Sequence, residues 1–497
     1  MKNDTRYLSM LKDKAGIFLA FILTLVFTVI SIVLYYRGGN ILWLIPPALI
    51  AAAVAFISID RFLLFTVLLV PVSVQLIFVV PESSTDIFLP TEFMLAGILI
   101  LMLYKLFVTR EISSGILRHP VSVISFCLLG WSLITSFYSA MPVVSLKSFA
   151  TKMWFFAGFY LLAVQIFNRK EKIRTYFGLY MSGMVPVIIF YLIRMWQAGI
   201  FNQKFAYKAI RPFFNDHTAL GASLAFCIPV IVYFIYSRNK TGFRKFLLII
   251  ILLLFSICFI FCYSRAAWIS LVVAAGVALI LLLKISWKII LPVFLAASVF
   301  LFFSLSDIMI QLKQNKQDSS DNIQRHIQSI SNIRSDASNV ERLNRWNCAI
   351  RMFREKPFLG WGPATYQFNY APFQIASEKT VISTNYGDWG NAHSEYLGSL
   401  VDSGFPGLVF YLLLVTVSLI KGIMIWKIHP DKELRYLTLA MVTGLITYIV
   451  HGLLNNFLDT DKISALFWGM IAAIVAIDIE MKQEIREEGS PEVGSDN

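Results

Sequence analysis

Charged side chains are scarce in this chain. Of its 497 residues only 15% are Asp, Glu, Lys or Arg, whereas 57% are hydrophobic. Apolar runs of about 18 to 25 residues recur, which is the length that crosses a hydrocarbon core of roughly 30 Å. A water-soluble core needs no such runs, so the composition excludes a soluble globular protein. The sequence predicts an all-α integral membrane protein.

Cysteine is scarce too, and the cysteines lack the spacing of a metal site or a disulfide framework. There are 5 cysteines, no Cys-x-x-Cys, and only Cys348 lies in a long polar segment. This pattern argues against a disulfide framework or a cysteine metal site. The chain also has no internal repeat and no matched pair of broken helices, the features that mark many transporters.

The apolar runs predict about fourteen (12–14) membrane-spanning helices by the twenty-residue criterion. Their approximate limits are residues 15–36, 41–58, 62–80, 88–107, 121–138, 148–167, 175–194, 218–236, 246–263, 266–283, 288–305, 405–426, 435–454 and 462–479. Basic residues cluster in alternate loops, as at Arg110 and Arg118, at Arg169 to Arg174 and at Lys427 to Arg435. The positive-inside rule then places both termini in the cytoplasm and the polar segment 306–393 outside.

The net charge of +13 has the same origin, because the basic residues are spread over short loops rather than gathered in one patch. Orientation in the membrane explains it, and we expect no nucleic-acid partner. Four regions follow: N-terminal membrane helices (1–204), a region that carries the notable polar residues and the outer loop 306–393 (205–455), a last membrane helix (456–479) and a disordered cytoplasmic tail (480–497).

The predicted topology gathers three arginines and a histidine on the outer side: Arg211, Arg265, Arg342 and His393. Any one arginine at a helix end could simply extend to the lipid headgroups. Together they favour an anionic ligand, because the planar guanidinium gives phosphate two permanently charged hydrogen bonds.

The outer loop contains a predicted amphipathic helix from Val340 to Phe358. Its apolar residues recur every three or four positions, at Val340, Leu343, Trp346, Ile350 and Phe353. Its basic residues lie on the other faces, namely Arg342, Arg345, Arg351 and Arg354. Pro357 and the sequence Gly360-Trp361-Gly362-Pro363 should end it. A basic amphipathic helix could also lie on anionic headgroups.

His393 follows a turn rich in Gly, Asn and Asp and precedes a helix-like run, Glu395 to Asp402. A neutral imidazole there could act as a general base, and nearby arginines should lower its pKa below the ordinary value of about 6.5. His217 and His451 are the rival bases. Asp459 and Asp461 form an Asp-x-Asp pair that could hold a divalent cation, although acids are equally ordinary in a hairpin tip.

The order of these motifs resembles the O-antigen ligase / O-antigen polymerase superfamily of bacterial membrane proteins. The resemblance covers roughly residues 205–455. It rests on Ser264-Arg265-Ala266-Ala267-Trp268, Arg342 four residues before Trp346, Gly360-Trp361-Gly362, and His393-Ser394 through Gly404-Phe405-Pro406-Gly407. Many members have His-Asn where this chain has His393-Ser394, which puts a role for the second residue in doubt.

The resemblance implies a GT-C-like glycosyltransferase at the periplasmic face of the bacterial inner membrane, without metal or other cofactor. It would move a glycan from undecaprenyl diphosphate to an acceptor sugar on lipid A-core or a related glycan, in lipopolysaccharide and cell-envelope biosynthesis. His393 would be the base; Arg211, Arg265 and Arg342 would bind the diphosphate, with His217, Arg345 and His451 as secondary candidates. A repeat-unit polymerase is the alternative. A lipid-linked glycan flippase or a non-catalytic assembly scaffold would explain the same compartment less well.

Overall fold

The computed structural model describes residues 58–78, 87–237, 241–286, 288, 292, 337–379, 383 and 390–488. These residues are mostly helical, as predicted. The helices are α1 (Ile59–Leu69), α2 (Thr91–Tyr104), α3 (Ser114–Leu117), α4 (Pro120–Phe137), α5 (Pro142–Phe156), α6 (Ala163–Ile166), α7 (Lys170–Gln197), α8 (Gln203–Ala209), α9 (His217–Tyr236), α10 (Gly242–Phe261), α11 (Arg265–Leu282), α12 (Ala337–Glu355), α13 (Tyr366–Asn369), α14 (Glu395–Ile428), α15 (Lys432–His451) and α16 (Asp461–Glu488).

Within these residues, 10 helices are long and apolar enough to cross a membrane. They are Thr91–Thr109, Pro120–Phe137, Pro142–Ile166, Lys170–Gln197, His217–Tyr236, Gly242–Phe261, Arg265–Leu282, Glu395–Ile428, Lys432–His451 and Asp461–Ile485. A stretch of π-helix over Ala157–Leu162 joins α5 and α6 into one continuous span. The prediction of an all-α membrane protein is confirmed. The predicted spans 15–36, 41–58 and 288–305 lie outside the described residues, apart from residues 58, 288 and 292.

The predicted span 62–80 is wrong as one continuous helix. Helix α1 ends at Leu69, and Pro71, which has no N–H to donate, lies in a 3-10 turn over Val70–Val72. The chain then forms β1 (Val74–Gln75), which pairs antiparallel with β2 (Phe88–Leu89) in a two-stranded sheet. The sequence therefore stays apolar beyond Leu69 although the helix has already ended there.

Many of the helices are joined by short loops, and these loops lie at the two opposite ends of the helix bundle. At one end Lys170, which begins α7, bonds Asp431 at 2.9 Å and Glu433 at 3.0 Å beside the start of α15. At that end His119 also bonds Asp478 at 3.0 Å near the end of α16. The basic loops predicted to be cytoplasmic thus lie together, and the starts of α9, α11, α14 and α16 lie at the opposite end.

At this opposite end the sequence Gly360-Trp361-Gly362 docks on a kink in α14. The kink is at Gly404, whose φ is 67°. Trp361 and Gly362 donate their backbone N–H groups to the carbonyls of Val401 (2.8 Å) and Asp402 (2.9 Å). Beyond the kink Phe405 N–H donates to Pro357 O at 2.8 Å. The kink exposes backbone groups that the turn satisfies, so the two elements require each other.

The other face of the turn lies against the loop between α4 and α5. Ser145 Oγ donates to Pro363 O at 2.9 Å, and Ala140 N–H donates to Trp361 O at 3.0 Å. A Cβ on Gly362, whose φ is 107°, would lie 2.0 Å from Ser139 Oγ. Glycine is therefore required on both sides of the tryptophan for the turn to fit.

Gly404→Ala should destabilise the protein, because a Cβ there would lie 2.1 Å from Phe358 O at a positive φ. We expect a loss of at least about 2 kcal/mol, since strain at such a backbone position alone costs on the order of 1–3 kcal/mol. The measurement is thermal unfolding in detergent. The matched control is Gly130→Ala in α4, where a Cβ meets nothing within 4 Å. Equal stability of the two variants would show that the kink does not require glycine.

Candidate functional site

Three helices begin close together at the end of the bundle that carries the Gly-Trp-Gly turn. Helix α9 is capped by Asp216, whose Oδ1 accepts from Thr218 N (2.7 Å) and Ala219 N (2.9 Å). Its first turn packs on the start of α11, because a Cβ on Gly221 would lie 2.9 Å from Ser264 Cβ. The N-terminal end of a helix dipole is positive and attracts negative charge, so several helix starts at one end favour an anion there.

The third helix start is fixed by Glu395, the first residue of α14. Its backbone N–H donates to Gly452 O at 2.8 Å, just after α15 ends. Its buried carboxylate accepts from Phe457 N (2.7 Å) and Leu458 N (3.0 Å), and from the hydroxyl of Tyr448. The glutamate is thus a structural clamp that holds the start of α14 against the corner between α15 and α16.

Helix α12 packs at this end of the bundle, and its apolar residues do not form its buried face. The apolar residues Leu343, Trp346 and Phe353 are only half-buried, and Ile350 is 38% exposed. The buried face is largely polar or small, and consists of Glu341, Asn344, Arg345, Cys348, Ala349 and Met352. The helix predicted over 340–358 is found at Ala337–Glu355. Its buried face is polar because internal hydrogen bonds let polar side chains be buried.

Arg345 is the centre of this polar face. Its Nε donates to Glu341 Oε1 at 3.0 Å, and its guanidinium lies 4.9 Å from the ring centroid of Tyr370. Its Nη1 donates to Asn391 O at 3.4 Å, and a Cβ on Gly390 would lie 1.5 Å from the same nitrogen. The arginine therefore holds the segment that leads into His393, and its charge has protein partners before any ligand binds.

His393 lies in a strained position at the end of this segment. Its φ is 48°, in the left-handed region, and its backbone N–H donates to Asn391 Oδ1 at 3.0 Å. Burial lowers the pKa of His393 to about 3, helped by the positive charges of Arg342 and Arg345 and opposed by Asp216. The imidazole is therefore neutral near pH 7, as the sequence predicted, and more strongly so than expected.

The charged groups that shift the pKa of His393 also show which of the predicted residues lie close together. His393 lies near Arg342 and Arg345 of α12 and near Asp216, which precedes α9. Asp216 was not among the predicted site residues. Although burial opposes its ionisation, the neighbouring His217 and the hydrogen bonds from Thr218 and Ala219 lower the pKa of Asp216 below its ordinary value. Its place directly before a membrane helix is that of an N-cap.

The two rival histidines lie in different settings. His451 is buried at the end of α15, where Arg342 and Asp216 also face its ring. His217 stacks on Tyr207, with ring centroids 4.3 Å apart, and follows Asp216 directly. Both therefore lie at the same end of the bundle as His393, and His451 shares two of its charged neighbours.

The other two arginines lie at the edges of this end. Arg265 is the first residue of α11 and is half-buried. Arg211 is exposed, and its Nε donates to Asn215 O at 3.4 Å in the loop before α9. Their diphosphate-binding role stays a prediction.

The rival cation site at Asp461 is already occupied by protein groups. Asp461 Oδ2 accepts from Ser73 Oγ (2.7 Å) and Thr91 Oγ1 (2.6 Å), and Oδ1 lies 3.0 Å from Lys462 Nζ. Asp459, two residues earlier, is exposed. Across the part of the chain that the structure describes, no group of three His, Cys, Asp or Glu side chains is arranged to hold a metal ion. Asp461 is thus a structural residue that joins α16 to the β1 region.

A known protein family matches part of this chain. The family described as O-antigen ligase matches residues 248–412, which include Arg265, Arg342, the Gly-Trp-Gly turn and His393. The resemblance inferred from the motifs is confirmed over this stretch, which is similar to the O-antigen ligase family. No curated protein matches the chain.

The charge state of His393 can be measured directly. Because burial and two arginines lower its pKa, the imidazole should stay neutral from pH 8 down to pH 4.5 in NMR of ¹⁵N-histidine-labelled protein in nanodiscs. The His393→Gln variant assigns the signal. Arg342→Gln removes one positive charge and should raise the pKa. A titration midpoint near the ordinary value of about 6.5 would contradict the buried setting.

Proposed function

We propose that this protein is an O-antigen ligase-type glycosyltransferase. It moves a glycan from undecaprenyl diphosphate to a hydroxyl of an acceptor sugar, on lipid A-core or a related glycan, at the periplasmic face of the inner membrane. The observation that carries the proposal is the convergence of His393, Arg342 and Asp216 where three membrane helices begin. This end of the bundle offers both positive charge and a neutral base.

The leaving diphosphate is held in this proposal by Arg342 and Arg265, with Arg211 at the entrance. Two features favour an anion there. Guanidinium groups bind phosphate oxygens in pairs, and the positive ends of the helix dipoles of α9, α11 and α14 lie at the same end. Arg345 donates to Glu341 and to the backbone of Asn391, which leads into His393. It positions the His393 segment.

The reaction forms a bond between the acceptor oxygen and the anomeric carbon, while the bond from that carbon to the diphosphate oxygen breaks. The diphosphate leaves with the electron pair, and the hydroxyl proton passes to the imidazole of His393. A pKa of about 3 makes His393 a weak base in the empty site. The bound diphosphate brings negative charge beside Arg342, which raises the pKa of His393 when the donor is in place. Donor binding and base strength are thus coupled.

The assay uses the full chain in nanodiscs, the lipid-linked glycan extracted from cells that lack this gene, and the acceptor glycolipid from the same cells. His393→Gln should lose at least about 100-fold in rate, since positioned general bases contribute on the order of 10²–10⁴. Arg342→Lys should lose about 10-fold or more, because lysine keeps the charge without the paired hydrogen bonds. Chelators should leave the rate unchanged.

The matched control is Arg354→Lys, an exposed arginine on the same helix. Its rate should equal that of the unmodified protein. Addition of one glycan per acceptor supports the ligase, whereas a ladder of growing products on the lipid-linked donor would assign the polymerase. No product with either acceptor, or full activity of His393→Gln and Arg342→Lys together, would contradict the proposed function.

The side of the membrane is tested separately. A reporter that is active only in the periplasm should be active when fused after Lys379, in the exposed part of the polar loop, and silent when fused after Lys172 in α7. The basic loops at the α7 end give this orientation by the positive-inside rule. Activity at Lys172 with silence at Lys379 would place the site in the cytoplasm and overturn the periplasmic assignment.

A further inference from the structure

His451 has one ring nitrogen in use and one without a partner. The residue is 1% exposed, and its Nε2 lies 3.1 Å from Asn455 Nδ2. Its Nδ1 is buried with no hydrogen-bond partner among the described residues. The backbone of Ala266 lies beside the ring without reaching hydrogen-bond geometry. A buried polar atom left without a partner loses its hydrogen bonds to water without replacement, so this nitrogen calls for an explanation.

The bond with Asn455 defines what the second nitrogen can do. An amide N–H donates, so Nε2 of the neutral ring accepts and Nδ1 carries the ring proton. The unsatisfied atom is therefore a donor that needs an oxygen. Asn455 is itself 3% exposed and lies one helical turn further along the chain, so the donor is fixed in direction.

The charged residues near the Nδ1–H group of His451 indicate which kind of oxygen atom would accept its hydrogen bond. Asp216 and Arg342 both face the ring of His451, and both also face His393. Asp216 Oδ1 is occupied by the start of α9, which leaves Oδ2 for another donor. A phosphate oxygen could only accept, and it would be repelled by Asp216. A hydroxyl group accepts from one neighbour and donates to another, which suits a place between an N–H and a proton acceptor.

We infer that His451 binds the acceptor sugar, by donating its Nδ1–H to the hydroxyl that attacks the donor. The hydroxyl then lies between His451, which it accepts from, and His393, which takes its proton, with Asp216 opposite the diphosphate arginines. This inference rests on the proposed function and divides the site into two parts. Arginines hold the donor, and His451 with Asp216 holds the acceptor.

Two substitutions separate the two ring nitrogens. His451→Asn keeps an N–H at the position of Nδ1 and loses the contact with Asn455, whereas His451→Gln extends to the position of Nε2 and loses the donor at Nδ1. In the reconstituted transfer assay, His451→Gln should raise the KM for the acceptor glycolipid about 10-fold or more, because it removes a hydrogen bond to the acceptor. His451→Asn should raise it clearly less.

Donor affinity is the second readout, measured by binding of the extracted lipid-linked glycan. It should stay within about twofold of the unmodified protein in both variants, since the lost group contacts the acceptor alone. Asn455→Leu, which frees the ring to change tautomer, should also raise the acceptor KM. His429→Gln, at the opposite end of the bundle between α14 and α15, is the control for replacing a buried histidine.

An unchanged acceptor KM in His451→Gln, with transfer intact, would overturn the inference and leave the proposed function standing. A KM that rises equally in the Gln and Asn variants would assign His451 to packing and would also overturn it, as would loss of donor affinity alone. If His451→Gln does not fold, the Asn455→Leu variant decides by the same KM comparison. Absence of transfer in the unmodified protein would instead be a failure of the proposed function.

Discussion

The site depends on the docking of the Gly-Trp-Gly turn on the kink of α14. The kink at Gly404 interrupts the helix, and the turn supplies backbone partners on both sides of the interruption. Because the turn follows α12 directly, this docking fixes the end of α12 above the bundle. The polar face of α12 then holds the segment before His393 through Arg345. Removal of the kink would release the base and the arginines together.

Electrostatics makes this arrangement suitable for an anionic substrate. Arg342 lowers the pKa of His393 and lies beside His451, while Arg345 is neutralised by Glu341. One arginine is therefore structural and one faces the place where the ligand is proposed to bind. In the proposed function the charge of the substrate has two effects: it binds the arginines, and it raises the pKa of the neighbouring imidazole. A metal ion would be one way to neutralise a diphosphate, and guanidinium groups with helix starts are another.

The sequence predicted the all-α membrane architecture, and there is a physical reason for this. A helix needs a long apolar run to cross a membrane, and such a run is visible in the sequence. The order of the motifs can also be read from a single sequence. The sequence did not predict which face of α12 is buried, because Val340, Leu343 and Trp346 follow the expected period while the ion pair of Glu341 and Arg345 takes the inner side.

Other features could not be predicted because they depend on contacts far apart in the chain. The Gly-Trp-Gly sequence predicted a helix stop, but its docking on Val401 and Asp402 is a tertiary contact. Asp216 carried no signal of its own in the sequence, and only the fold brings it near His393 and His451. Asp461 looked like a cation ligand until Ser73 and Thr91 were found on its carboxylate.

The most direct test of the account is a cryo-electron microscopy structure of the full chain in nanodiscs with the lipid-linked donor bound. The account predicts the diphosphate at the starts of α9 and α11, in contact with Arg342 and Arg265, and the anomeric carbon on the side of His393. Diphosphate density at the opposite end of the bundle, beside Arg169 and Lys170, would contradict it.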